Sequence, residues 1–124
     1  MSIENDLVTV LTGYAPLSAL VGNRVSQHAA DPNDTMPLVV WNSSSDPLGG
    51  LDGDDQIEQA TITLECWATT ALGASAVADQ VKAALDAYDA THGTESVNVT
   101  SRQGSHDPEL GLDGEVVTVQ WLRL

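Results

Sequence analysis

The sequence predicts an α+β fold, with a largely antiparallel sheet of about four to five strands and helices packed on one face. Three observations carry this expectation. Two stretches, one N-terminal and one central, place apolar residues at helical spacing. The run "QIEQATITLECWA" (56–68) alternates as a half-buried strand does. The chain then closes on a second alternating run, "EVVTVQWLRL". A length of 124 residues suits a single domain over residues 1–124, large enough to bury a core without covalent staples.

The first segment, "SIENDLVTVLTGY", sets Ile3, Leu7, Val10, Leu11 and Tyr14 on one helical face. Ser2 is its candidate N-cap, Glu4 and Asp6 favour the positive end of the helix dipole, and Gly13 supplies a stop. In "APLSALVG" Pro16 opens a short helix and Gly22 closes it. Arg24 follows that stop, where a cation can meet the exposed carbonyls of the helix end and pair with carboxylates on the next strand. Residues 25–29 read as a short extended segment, and "ADPNDTMP" as a loop. "PLVVWN" is a short apolar strand with Pro37 at its start, where proline is tolerated. "SSSDPLGGLDGDD" (43–55) reads as the longest loop.

In the strand 56–68, Ala60, Ile62, Leu64 and Cys66 share one face, and Thr61, Thr63, Glu65 and Trp67 the other. The helix within "TTALGASAVADQVKAALDAYDATHG" carries a stripe of Val77, Val81, Ala84, Leu85 and Tyr88, with Thr70 as its start and Gly93 as its end. "ESVNVTSRQ" is a strand, "GSHDPELGLDG" a turn-rich loop, and "EVVTVQWLRL" the last strand.

Composition narrows the function. Four basic residues against eighteen acidic ones give a net charge of −14. Such a surface repels phosphate, which argues against direct nucleic-acid binding. The charge fits a host with high internal salt, where screening makes dense acidity tolerable. It also fits a surface that must let DNA pass without sticking. Full thermal stability in dilute buffer would exclude the high-salt explanation. No apolar run reaches the ~20 residues of a membrane span, and the acidic start "MSIENDLV" has no signal-peptide pattern. The single cysteine, Cys66, cannot form an intrachain disulfide and reads as a small buried hydrophobe.

No constellation predicts catalysis, a metal or a cofactor. Asp52, Asp54, Asp55 and Glu58 offer oxygen donors, but their spacing is not that of an EF-hand, so a solvated acidic loop is the better reading. His28, His92 and His106 fall in separate segments with no ligand spacing. "SHD" (105–107) names three triad residue types in a row, yet adjacent residues cannot build a triad. "LGGLDGD" lacks the Lys-Ser/Thr of a phosphate loop. Asn42 and Asn98 match the glycosylation sequon and carry little weight without a signal peptide. With no Phe in the chain, the core must draw on aliphatic residues and on Trp41, Trp67 and Trp121. Two of these could be core and one an interface anchor, with Trp67 and Trp121 as the candidates.

Read in order, the segments resemble the tail-completion proteins of long-tailed phages, also called tail terminators or head-to-tail joining proteins, to which the minor tail protein U of phage lambda is related. The resemblance rests on the N-terminal helix followed by "PLSALVGNRV", and on the strand "MPLVVW". It continues in "ATITLECWATT" running directly into "GASAVADQVKAALDAY", and in the closing "GEVVTVQWLRL".

The resemblance implies assembly rather than chemistry. Such proteins form a ring, usually of six, at the head-proximal end of the tail tube. The ring stops tube growth and offers a surface to the head connector. The implied partners are further copies of the chain, the tail tube protein and the head connector or stopper, while DNA passes through unbound. The implied location is the virion tail, after assembly in the host cytoplasm. Gly22, Arg24 and Pro37 would form a structural joint, with Arg24 setting the angle between helices and sheet. Asp52, Asp54 and Asp55 would face the lumen or a neighbouring ring. The competing reading is an acidic host α+β module that binds a protein partner; a small hydrolase is the weakest of the three.

Overall fold

The structure, a computed structural model, describes residues 3–27, 35–49 and 56–123. Helix α1 (Ile3–Gly13) repeats Ile3, Leu7 and Leu11 at four-residue intervals, and all three are fully buried. Helix α2 (Ala15–Val21) has Pro16 in its first turn and ends at Gly22, whose N–H donates to Ser18 O at 2.8 Å. Gly22 has φ 59° and ψ −126°, a conformation that a Cβ would strain. Then come β1 (Val25–Ser26), β2 (Leu38–Gly49), β3 (Gln56–Ala68), α3 (Ala71–Thr91), β4 (Glu95–Asp107) and β5 (Leu112–Arg123). Thr70 caps α3 by accepting from the Gly73 N–H at 3.0 Å.

The five strands lie in the order β1-β2-β3-β5-β4. The pairing of β1 with β2 is parallel, and the other three pairings are antiparallel. The expected α+β class and the mostly antiparallel sheet are therefore what the chain adopts, with the three helices packed against the sheet.

Two expected loops are largely strand. Residues 43–49 continue β2, paired with β3 as far as Gly49 opposite Gln56. Ladder bonds are made by the backbone, so a run of serines does not end the strand. Pro47 is tolerated because β1 accompanies β2 only at Val39 and Val40, leaving an edge where a missing N–H costs no ladder bond. At the other hairpin β4 runs to Asp107 and β5 begins at Leu112. The Asp107 carboxylate accepts from the Glu109 and Leu110 N–H groups, and Gly111 takes φ 67°, so four residues make the turn. The cap of α3 is also one residue earlier than expected, at His92 rather than Gly93. Ser2, His28, Ala29, the segment 30–34 and the acidic triplet Asp52, Asp54 and Asp55 lie outside the described residues.

The sheet buries both faces unequally. On the helix side Ala60, Ile62, Leu64 and Cys66 of β3 are all fully buried, as their alternation predicts. They join Val117, Val119 and Trp121 of β5, Val39 and Trp41 of β2, and the stripes of the three helices. On the opposite face a smaller cluster gathers Leu38, Val40, Trp67 and Leu112 at one end of the sheet. Trp67 lies flat over Gly114, its cross-strand partner on β5. A Cβ at position 114 would come within 2.9 Å of two carbons of that indole ring.

Trp67 is 8% exposed and held by its neighbours, so the ring cannot move aside freely. Gly114→Ala is expected to cost about 1–3 kcal/mol by overpacking. Urea denaturation followed by tryptophan fluorescence checks this. A variant as stable as the parent would show that Trp67 has an alternative seat.

Candidate functional site

The corner at Arg24 is built from backbone. Its Nε donates to Pro37 O at 2.9 Å and its guanidinium Nη2 to Leu20 O at 3.2 Å. One side chain thus ties the last turn of α2 to the residue that starts β2. The backbone adds a second tie, since the Val39 N–H donates to Arg24 O at 2.9 Å. The carbonyl contact at the helix end is the one the sequence suggests. The second partner is a carbonyl too, where a strand carboxylate was expected. Gly22 packs directly beneath, its position for a Cβ 3.6 Å from Arg24 Nη1.

A second polar centre has no counterpart in the sequence motifs. It joins α1, the end of α3, the start of β4 and the end of β5. Glu95 accepts from Tyr88 Oη at 2.6 Å, Trp121 Nε1 at 2.8 Å and Arg123 Nε at 2.9 Å. Arg123 reaches on to the Asp6 carboxylate of α1. Tyr88 stacks on His92 with ring centroids 3.7 Å apart. Asp6, Tyr88, His92, Glu95 and Arg123 line an open cleft of ≈ 560 Å³. Its polar atoms satisfy one another, and His92 Nδ1 is held at the Tyr88 carbonyl, 2.9 Å away. The arrangement locks four elements together and contains no nucleophile–base pair. Burial would raise the Glu95 carboxyl, but the bonds from Tyr88, Trp121 and Arg123 outweigh it and hold the group below its ordinary value. Burial and the bond to Glu95 push the Tyr88 hydroxyl up to about 12.

Arg102 forms the third tie. It meets Glu115 of β5 at 2.6 Å and Asp79 of α3 at 2.8 Å. Lys82 pairs with Asp86 one turn along α3, at 2.7 Å. All four cations of the chain are therefore engaged within it.

Of the two tryptophans considered as interface anchors, Trp121 is fully buried in the main core and offers no surface to a neighbour. Trp67 sits under the smaller cluster, its indole N–H donating to Glu65 at 3.1 Å. Burial, reinforced by the Glu115 charge and partly opposed by Arg102, pushes the Cys66 thiol up to about 12. It stays protonated at neutral pH and packs as a small hydrophobe. His106 pairs with Asp113 at 2.8 Å, far in the sequence from His92. Among the described residues no group of three His, Cys, Asp or Glu could hold a metal, and no helix is long and apolar enough to cross a membrane.

Comparison with known proteins places this architecture. The model of the family described as "Tail completion protein gp17" matches residues 5–123. The chain belongs to that family, which is structural and non-enzymatic, and is a component of a virion tail. No curated protein matches the sequence. Among solved structures the chain resembles one from the "Virion of native gene transfer agent (GTA) particle". The TM-score is 0.75 at 15% identity, covering 98% of this chain and 94% of the other, so the likeness is one of fold.

Removing the corner cation leaves two carbonyls without their donors. Arg24→Ala is expected to lower stability by about 2 kcal/mol, read by urea denaturation. An unchanged melting temperature with lost assembly would instead move Arg24 to an interface. The Glu95 network gives a pH signature. A carboxylate whose folded pKa is depressed contributes stability that is present above its unfolded value, near 4.5, and lost as pH falls through the folded value. The parent is expected to lose melting temperature through that window more steeply than Glu95→Gln. Parallel pH profiles for the two would show that the network carries no linkage.

Proposed function

We propose that this chain forms a ring of six copies at the head-proximal end of the tail tube, where it terminates tube growth and joins tail to head. The observation that carries this reading is membership of the tail completion family across nearly the whole chain. Its partners in this reading are its own copies, the tube protein below and the head connector or stopper above. A ring needs a heterologous interface that closes by rotation. The two faces of such a ring can then serve two different neighbours. The presence of a similar fold within a virion supports the assignment to a particle.

Charge supports passage of DNA through the ring without binding. Arg24, Arg102, Arg123 and Lys82 are all committed to partners inside the chain. No cation is left over to neutralise a phosphate, and the net charge of −14 repels one. High salt in the host would screen the repulsion between copies during assembly in its cytoplasm. Gly22, Arg24 and Pro37 act in this account as the joint that fixes the helices on the sheet, so that every copy presents the same edges.

Electron microscopy of particles made without this gene tests the reading. Separate full heads with overlong or headless tails are expected. Intact virions with tails of normal length would contradict it.

A further inference from the structure

The sheet ends in two long edges of matching chemistry. Strand β4 is the last in the order, and among the described residues no strand lies beyond its 13 residues. At the other side β1 covers β2 only at Val39 and Val40, so residues 42–49 of β2 also lack a second strand partner among the described residues. An open edge presents a row of N–H and C=O groups that templates pairing with another chain. Natural sequences usually blunt such edges with lysine or other charges. Here segments 41–44 and 96–101 carry no ionisable side chain, in a chain of net charge −14.

The registers place these segments at the same height. Asn42 pairs with Thr63, Thr63 with Thr118, and Thr118 with Ser101. Ser44 pairs with Thr61, Thr61 with Gln120, and Gln120 with Asn98. The two rows therefore end in Asn42 and Ser44 on one edge, and in Ser101 and Asn98 on the other. All four side chains are exposed. The strands also run in opposite directions, since three successive antiparallel pairings separate β2 from β4.

The β4 edge is closed where this stretch begins. The Val97 N–H is taken by the Asp89 carboxylate of α3 at 2.9 Å. A register shift lies between Val99 and Ser101, and Arg102 then turns back to α3. These devices limit how much of the edge can pair and so favour one register over sliding.

We infer that the β4 edge at 98–101 of one copy pairs antiparallel with the β2 edge at 42–44 of the next copy, extending one sheet from subunit to subunit. The inference rests on the ring proposed above and names its interface. Pairing unlike edges is heterologous, so it propagates around a rotation axis and can close. Pairing β4 with β4 would stop at two. A second copy is the occupant that fits, because the strand residues of both segments carry no charge and the carboxylates that contact them, Glu4 at Ser43 and Asp89 at the Val97 N–H, are each held by a hydrogen bond within the chain, so two acidic molecules meet here with reduced repulsion.

Paired cysteines test this at positions that leave the fold intact. Asn42→Cys or Ser44→Cys is combined with Asn98→Cys or Ser101→Cys in the full chain, and purified particles carrying each double variant are mildly oxidised. Cross-strand neighbours come within disulfide reach. Cys66, fully buried, does not compete. At least one of the four combinations is expected to give a ladder of covalent multimers ending in a closed species, while single variants give at most dimers. Rings visible on the tails with no disulfide in any combination would overturn the edge pairing and leave the ring standing. Particles whose tails lack a ring of this chain would overturn both.

Discussion

The fold depends on where four cations are placed in a chain with eighteen carboxylates. Three are arginines, and each adds a polar tie between elements that also meet in the hydrophobic core. Arg24 ties the end of α2 to the start of β2. Arg102 ties β4 and β5 to α3. Arg123 ties the last strand to α1 and to the start of β4. A planar guanidinium can bridge two acceptors at once, which the single lysine cannot do in the same way. Arg102 and Arg123 each lie between two carboxylates, so they also offset repulsion between those carboxylates. Because these ties are internal, the surface is left acidic.

The core solves a second constraint, the lack of phenylalanine. Trp41 and Trp121 supply the large rings on the helix side, and Trp67 supplies the one on the opposite face. Each tryptophan brings an N–H that must be satisfied, and Glu95 and Glu65 accept from Trp121 and Trp67. Carboxylates are abundant in this chain, so the indoles draw on what the composition offers. Gly114 completes the arrangement by letting Trp67 lie against the β5 backbone. The outer face of the sheet is thereby apolar at one end and polar along the rows Asn42–Thr63–Thr118–Ser101 and Ser44–Thr61–Gln120–Asn98 that reach its two edges.

Much of this was legible in the sequence, because periodicity reports burial directly. The alternation of 56–68 named the four residues of β3 that are fully buried on the helix side, and the spacing in α1 and α3 named most of the residues those helices bury. The Pro16 and Gly22 boundaries of α2 were also legible, as backbone geometry demands those residue types there. The strand extensions at 43–49 and 104–107 were not, since polar side chains say little about a ladder made by the backbone. The Glu95 centre was hidden for another reason. Its members come from positions 6, 88, 95, 121 and 123, and only the topology brings them together. The signal that could have found it is the rarity of arginine: with so few cations, each one marks a place where carboxylates converge. The same logic located Arg24 but misjudged its partner, because a helix end and a strand start both offer carbonyls.

The family places the chain in a virion tail, and the sheet edges give it a way to assemble. The most direct test of the whole account is a cryo-electron microscopy reconstruction of the neck of intact particles. The account predicts a closed ring between tube and head connector, built from copies of this fold with one sheet running on into the next. Density for this fold at the far end of the tail, or a neck with no copy of it, would contradict the account.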